Sequence, residues 1–207
     1  MNYDKLEEYV NSMTHYGGAV LSVVGLIILI HRAMETKSIP DMVGVVIFGL
    51  ALILLYTMSG TYHILNKGKI KNLFRILDHS AIYILISASY TPYLLSAMDG
   101  LNRWVIFGIQ WGMTLLGIVF KIFYTGRFKA LSTIIYLVMG WMVLFVFKDL
   151  KEALSNLSMG YLIAGGVLYS LGVIFYAMKK MRFSHAIWHL FVIGGSFCNY
   201  MSVYYLI

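Results

Sequence analysis

One cysteine, Cys198, and two prolines are all that 207 residues contain of the two types that most constrain a chain. A single cysteine cannot close an intramolecular disulfide, so a disulfide-stapled fold is excluded, and nothing about compartment follows from it. Charge is scarce too. Asp, Glu, Lys and Arg make up 12% of the chain, where soluble domains carry roughly a quarter. No polar connection exceeds about a dozen residues, which leaves no room for a separate soluble domain. There is no convincing internal repeat, no Gly-rich phosphate loop and no dinucleotide fingerprint. The short alternating segments of an outer-membrane barrel are missing. The opening dozen residues are polar and acidic, so no cleavable signal peptide is expected.

What the chain does have is apolar sequence, 60% of it. Runs of about 20 apolar residues recur along its length, the mark of an all-α polytopic membrane protein. Seven runs stand out: residues 14–30, 42–65, 76–98, 104–123, 130–147, 159–178 and 185–207. The expectation is one seven-transmembrane helix bundle over residues 1–207. Pro40 suits the opening turn of the second span. Pro92 falls inside the third and is expected to kink it, which membrane helices tolerate when neighbours satisfy the freed carbonyl. Gly165-Gly166 and Gly194-Gly195 suit close helix packing.

The formal net charge is +7. In a soluble domain that would suggest nucleic acid; here it is assigned to loops, and no nucleic-acid partner is expected. With seven spans, one side collects Lys5, Lys67, Lys69, Lys71, Arg75, Lys121, Arg127, Lys129, Lys179, Lys180 and Arg182, eleven basic residues. The other side collects Arg32, Lys37, Arg103, Lys148 and Lys151, which is five. Basic residues concentrate in cytoplasmic loops, so the N-terminus is expected to be cytoplasmic and the C-terminus external.

Ionisable residues inside a bilayer are costly and mark functional sites by default. His185 and His189 sit four apart at the head of the last span, on one helix face. The same topology brings His63 to the cytoplasmic end of the second span and Asp78 to the first turn of the third. Ser59 shares the helix face of His63. Three spans thus place His63, Asp78, His185 and His189 at a similar depth. Three imidazoles with an open fourth position form a catalytic zinc ligand set. A nearby carboxylate can orient water or take its proton, and a hydroxyl can bond the water or a developing oxyanion. Each part also has an ordinary reading. Histidines at span ends face headgroups, serines bond their own helix backbone, and an aspartate at a helix start is favoured by the dipole.

Other histidines are weaker candidates. His79 lies about 100° round the helix from Asp78, toward another helix or the interface. His15 opens the first span and could cap the site or bond a neighbouring helix. His31 is expected in an external loop.

Several motifs extend the pattern: Asn11-Ser12-Met13-Thr14-His15, Ser59-Gly60-Thr61-Tyr62-His63, Leu77-Asp78-His79-Ser80, Tyr90-Thr91-Pro92-Tyr93 and His185-Ala186-Ile187-Trp188-His189. Together they resemble the hemolysin III proteins, the bacterial branch of the progestin and adipoQ receptor family. That family is related to alkaline ceramidase-like membrane hydrolases. The resemblance implies a seven-helix bundle in the cell membrane with zinc near the cytoplasmic leaflet. It places the ligands on His63, His185 and His189, the water-associated aspartate on Asp78 and the second-helix serine on Ser59. Three functions are in view. One is zinc-dependent hydrolysis of a lipid amide or ester, with a membrane lipid as substrate. The second is a non-enzymatic receptor or sensor of membrane fluidity or energetics with structural zinc. The third is a haemolytic pore, which no row of polar residues along a whole span supports.

Overall fold

The computed structural model describes residues 3–178 and 180–207. Lys179, one of the basic residues counted above, lies outside them. Among the described residues the regular structure is entirely helical: α1 Tyr3–Thr36, α2 Ile39–Ile64, α3 Lys69–Ser96, α4 Gly100–Tyr124 and α5 Lys129–Trp141. A 3-10 turn, Met142–Val146, then leads into α6 Phe147–Ala153, followed by α7 Asn156–Ala177 and α8 Ser184–Tyr204. Six helices are long and apolar enough to cross a membrane, with the stretch from Lys129 to Ala153 counted as one. The remaining long helix, α3, is more polar.

Local sequence sets the boundaries. Ser38 caps α2, its hydroxyl accepting the Asp41 N–H at 3.3 Å, and Pro40 occupies the opening turn as expected. Pro92 lies inside α3, and the helix continues through it. A Cβ added to Gly44 of α2 would stand 2.8 Å from the Pro92 Cα, so glycine is what lets these two backbones meet there.

Helix α3 is the hub of the bundle and packs against α2, α4, α5 and α8. Around it, α1 lies on α2 and α8, and α7 lies on α8, α5 and α6. Inward polar side chains stitch the layers. Ser87 donates to the Gln110 carbonyl at 2.9 Å and Thr114 to the Tyr83 carbonyl at 3.0 Å, joining α3 to α4. Ser12 donates to the Gly60 carbonyl at 2.8 Å, joining α1 to α2. Ser158 and Ser202 bond each other's carbonyls at 2.8 and 2.7 Å, joining α7 to α8.

The expected fifth span is not one helix. It breaks after Trp141, and a broken helix in an apolar setting exposes backbone groups that need partners. Tyr90 of α3 supplies them. Its hydroxyl lies 3.0 Å and 2.5 Å from the Met139 and Gly140 carbonyls and accepts the Val143 N–H at 2.8 Å. The Gln110 amide adds a bond to the Met139 carbonyl at 2.8 Å. Tyr90→Phe should therefore cost about 1–3 kcal/mol, the penalty of unpaired buried polar groups. A lowered midpoint of thermal unfolding in detergent would register it; an unchanged midpoint would mean the break is satisfied without Tyr90.

Candidate metal centre

His63 sits in the last turn of α2, with the helix ending at Ile64. His185 and His189 sit in the first two turns of α8. The start of α8 is set by Phe183, a non-glycine residue held at φ 55. Such a conformation is unfavourable for a bulky residue. It is held by Tyr3 of α1: the Phe183 N–H donates to the Tyr3 hydroxyl at 2.8 Å, and the two rings meet edge-on at 5.3 Å.

The three imidazoles converge. Ring centroids lie 5.0 Å apart for His63 and His185, 5.1 Å for His63 and His189, and 4.6 Å for His185 and His189. One ligand nitrogen from each lies within 4.8 Å of the others. His63 is 4% exposed and His189 1%. The Nε2 of His63 has no hydrogen-bond partner. A buried polar atom without a partner is costly, and a metal ion would satisfy it. The donor set is compatible with zinc, for which three histidines plus an open position are a known arrangement.

Other contacts indicate which nitrogens point inward. The Nδ1 of His189 lies 3.2 Å from the Asn11 carbonyl and 3.4 Å from the Thr14 hydroxyl. A carbonyl only accepts, so the proton is assigned to Nδ1, leaving the Nε2 lone pair for a metal. The Nδ1 of His63 faces the Glu8 carboxylate at 3.5 Å, and the other Glu8 oxygen holds the Lys71 ammonium at 2.7 Å.

Asp78 and Ser59 are buried and line one cavity with His185 and His189. His79 meets another helix, as expected: its ring lies edge-on to Tyr62 of α2 at 6.4 Å. Its Nδ1–H donates back to the Arg75 carbonyl at 2.8 Å, one turn earlier, which swings the ring to within 3.2 Å of an Asp78 oxygen. A side chain that bonds the i−4 carbonyl folds along its own helix, and the 100° spacing then ceases to separate the two residues. His31 differs from expectation: it lies on α1, not in a loop, exposed and 3.7 Å from Glu35.

Helix α1 adds further side chains to the site, and His15 meets the neighbouring helix as expected. His15 is 3% exposed, and its ring stacks on His189 with centroids 3.5 Å apart and planes 16° from parallel. Neither of its nitrogens has a partner. Glu8, Asn11 and Thr14 join it in touching the candidate ligands. Positions 8, 11, 12, 15 and 22 form a polar stripe with helical spacing along an apolar helix, and that periodicity was the available signal.

From the site at one end, the cavity runs along α3 from Asp78 to Leu94. At the helical rise that is about 24 Å, most of a hydrocarbon core of about 30 Å. Its far walls are apolar, including Ile86, Leu137, Leu144, Leu162 and Val173.

The family profile described as "Haemolysin-III related" matches residues 3–200. The chain is 43% identical to "Hemolysin-3" of Bacillus cereus over 201 residues, covering 97% of this chain and 92% of that protein. It is 45% identical to the "Hemolysin-3 homolog" of Bacillus subtilis (strain 168) over 197 residues, covering 95% and 92%. The human "Monocyte to macrophage differentiation factor" is 29% identical over 210 residues, covering 96% and 83%. No solved structure matches. The chain is a multi-pass membrane protein and belongs to the haemolysin-III family.

Proposed function

We propose that the protein is a zinc-dependent hydrolase of lipid amide or ester bonds, acting within the cell membrane and altering its lipid state. The single observation that carries this reading is that His185 and His189, converging with His63, line one long apolar cavity together with Asp78 and Ser59. His63, His185 and His189 hold the metal, the first and last through Nε2. Zinc, when bound, supplies Lewis-acid polarisation of a carbonyl and activation of water. Asp78 takes a proton from the attacking water and returns it to the leaving amine or alkoxide. Ser59 steadies the Asp78 carboxylate and the oxygen that gains charge. The apolar cavity receives the acyl chain and limits bulk water around the reacting carbonyl.

In this reading the chain crosses the membrane seven times, with α3 as a pass and the N-terminus cytoplasmic. Being surrounded by α2, α4, α5 and α8, α3 can be polar without meeting lipid. The basic-residue bias puts the metal near the cytoplasmic leaflet. There the carbonyl of a lipid entering sideways would sit close to headgroup depth.

Three outcomes test this. His63→Ala, His185→Ala and His189→Ala should each lower zinc content measured by mass spectrometry of the purified protein, and His31→Ala should not. Full occupancy in His185→Ala would sink the ligand assignment. Asp78→Asn should keep most of the metal and lose about 10²–10⁴-fold in fatty-acid release from membrane-lipid extracts, the usual scale of a general base. A variant that keeps both its metal and its cellular effect without Asp78 would instead favour a membrane sensor with structural zinc. Glu8→Gln should weaken zinc binding by about 10–100-fold, the range for loss of a carboxylate partner to a ligating histidine. Competition with a chromophoric chelator measures it, and an unchanged constant would leave Glu8 with only its Lys71 contact.

A further inference from the structure

Lys121, in the last turn of α4, is 3% exposed and lines the same cavity as Asp78 and the histidines. Its ammonium donates one hydrogen bond, to the Ser132 hydroxyl at 2.7 Å. Ser132 in turn donates to the Phe128 carbonyl at 3.1 Å, so it meets Lys121 as an acceptor. The Tyr136 ring lies 5.5 Å from the ammonium, and the Tyr136 hydroxyl is spent on the His79 carbonyl at 2.8 Å. Among the described residues no carboxylate stands within 4.0 Å of Lys121. Asp78, in the wall of the same cavity, already faces His79 at 3.2 Å.

A buried ammonium with neutral neighbours is poorly compensated, because a charge away from water needs a counter-charge as well as a hydrogen bond. Neither metal ligation nor the proton transfers assigned to Asp78 uses it. Its own helix would run as well with an apolar residue here. The cavity it faces is open to a long apolar guest, and its position at the site end makes it a neighbour of whatever the metal holds.

We propose that Lys121, positioned by Ser132 and the Tyr136 ring, forms a subsite for an anionic group, carboxylate or phosphate, carried by the acyl lipid that fills this cavity. The proposal rests on the lipid reading of the cavity and narrows its substrate class: an amphiphile with one acidic group close to its scissile linkage, not a neutral amide. Lys121 is then a specificity-determining residue. It neutralises the head while the chain lies along α3.

Binding tests it without turnover. The intact protein in nanodiscs is offered N-palmitoylglycine, its methyl ester or inorganic phosphate, and occupancy is read by native mass spectrometry. The acid should bind about tenfold tighter than the ester, the scale of one charge-assisted hydrogen bond. Lys121→Met should erase that preference while binding the ester as before, which also shows that the cavity is intact, and Lys121→Arg should keep it. Equal binding of acid and ester by the wild type overturns the proposal, and that comparison stands even if Lys121→Met fails to fold. A preference that persists in Lys121→Met overturns it as well. Tight, Lys121-dependent binding of inorganic phosphate with no preference for the acidic lipid would assign the subsite to a free anion and overturn the lipid class. Absence of hydrolysis in all three cases would count against the proposed reaction alone, since this readout is binding.

Discussion

The grip of α1 on α8 is the contact on which the candidate site depends. α1 holds its partner at three levels. Tyr3 fixes the strained turn at Phe183 that starts α8. His15 stacks on His189 in the middle of the contact. At the far end the Arg32 guanidinium donates to the Tyr204 carbonyl at 2.8 Å and lies 4.5 Å from the Tyr204 ring. The same helix is bonded to α2 through Ser12 and Gly60. His63 comes from the end of α2 and His185 and His189 from the start of α8, so no local sequence brings them together. α1 touches both, as α3 does, and Tyr56 of α2 also donates directly to the Ser196 hydroxyl of α8 at 2.7 Å. Interiors built of close-packed side chains are stiff, so a site held this way keeps its geometry with or without an ion.

Burial explains why the polar groups of this protein lie where they do. In an apolar surrounding every N–H, C=O and hydroxyl must be satisfied inside the bundle. The break after Trp141 is tolerable because Tyr90 and Gln110 meet its freed backbone groups. α3 carries its serines, threonines and tyrosines because it is enclosed by four other helices. The groups left without partners are therefore informative. They include the Nε2 of His63 and both nitrogens of His15, all within the histidine cluster.

Much of this was legible in the sequence. Each expected span has a helix at its core, and α2 begins and ends within a few residues of the apolar run. The pairing of His185 with His189 followed from the four-residue spacing alone, because helical periodicity is a local property. Longer-range effects were not legible. α1 runs from Tyr3 to Thr36, well past its apolar run at both ends, because its polar ends rest on α2 and α8. The contribution of Glu8 needs the α1 to α2 contact, and the sequence distance between Glu8 and His63 conceals it. The break in the fifth span needed Tyr90, fifty residues earlier in the chain.

The shape of the site bears on whether its metal would serve structure or reaction. Structural zinc is held by four protein ligands in a closed shell. Here three histidines converge, and the described residues offer no fourth His, Cys, Asp or Glu in that cluster. His15 is near, but it lies face to face with His189, so its nitrogens do not aim at the point the other three share. What adjoins the trio on the open side is the cavity, with Asp78 and Ser59 in its wall. A tie between α2 and α8 would need no cavity and no buried carboxylate, and the α1 contacts already supply that tie. The costly elements are thus the ones a structural metal would not require: Asp78 and Lys121, each buried in the cavity wall. Those two opposite charges flank the place where a lipid's polar head would lie, which gives their burial a common physical reason.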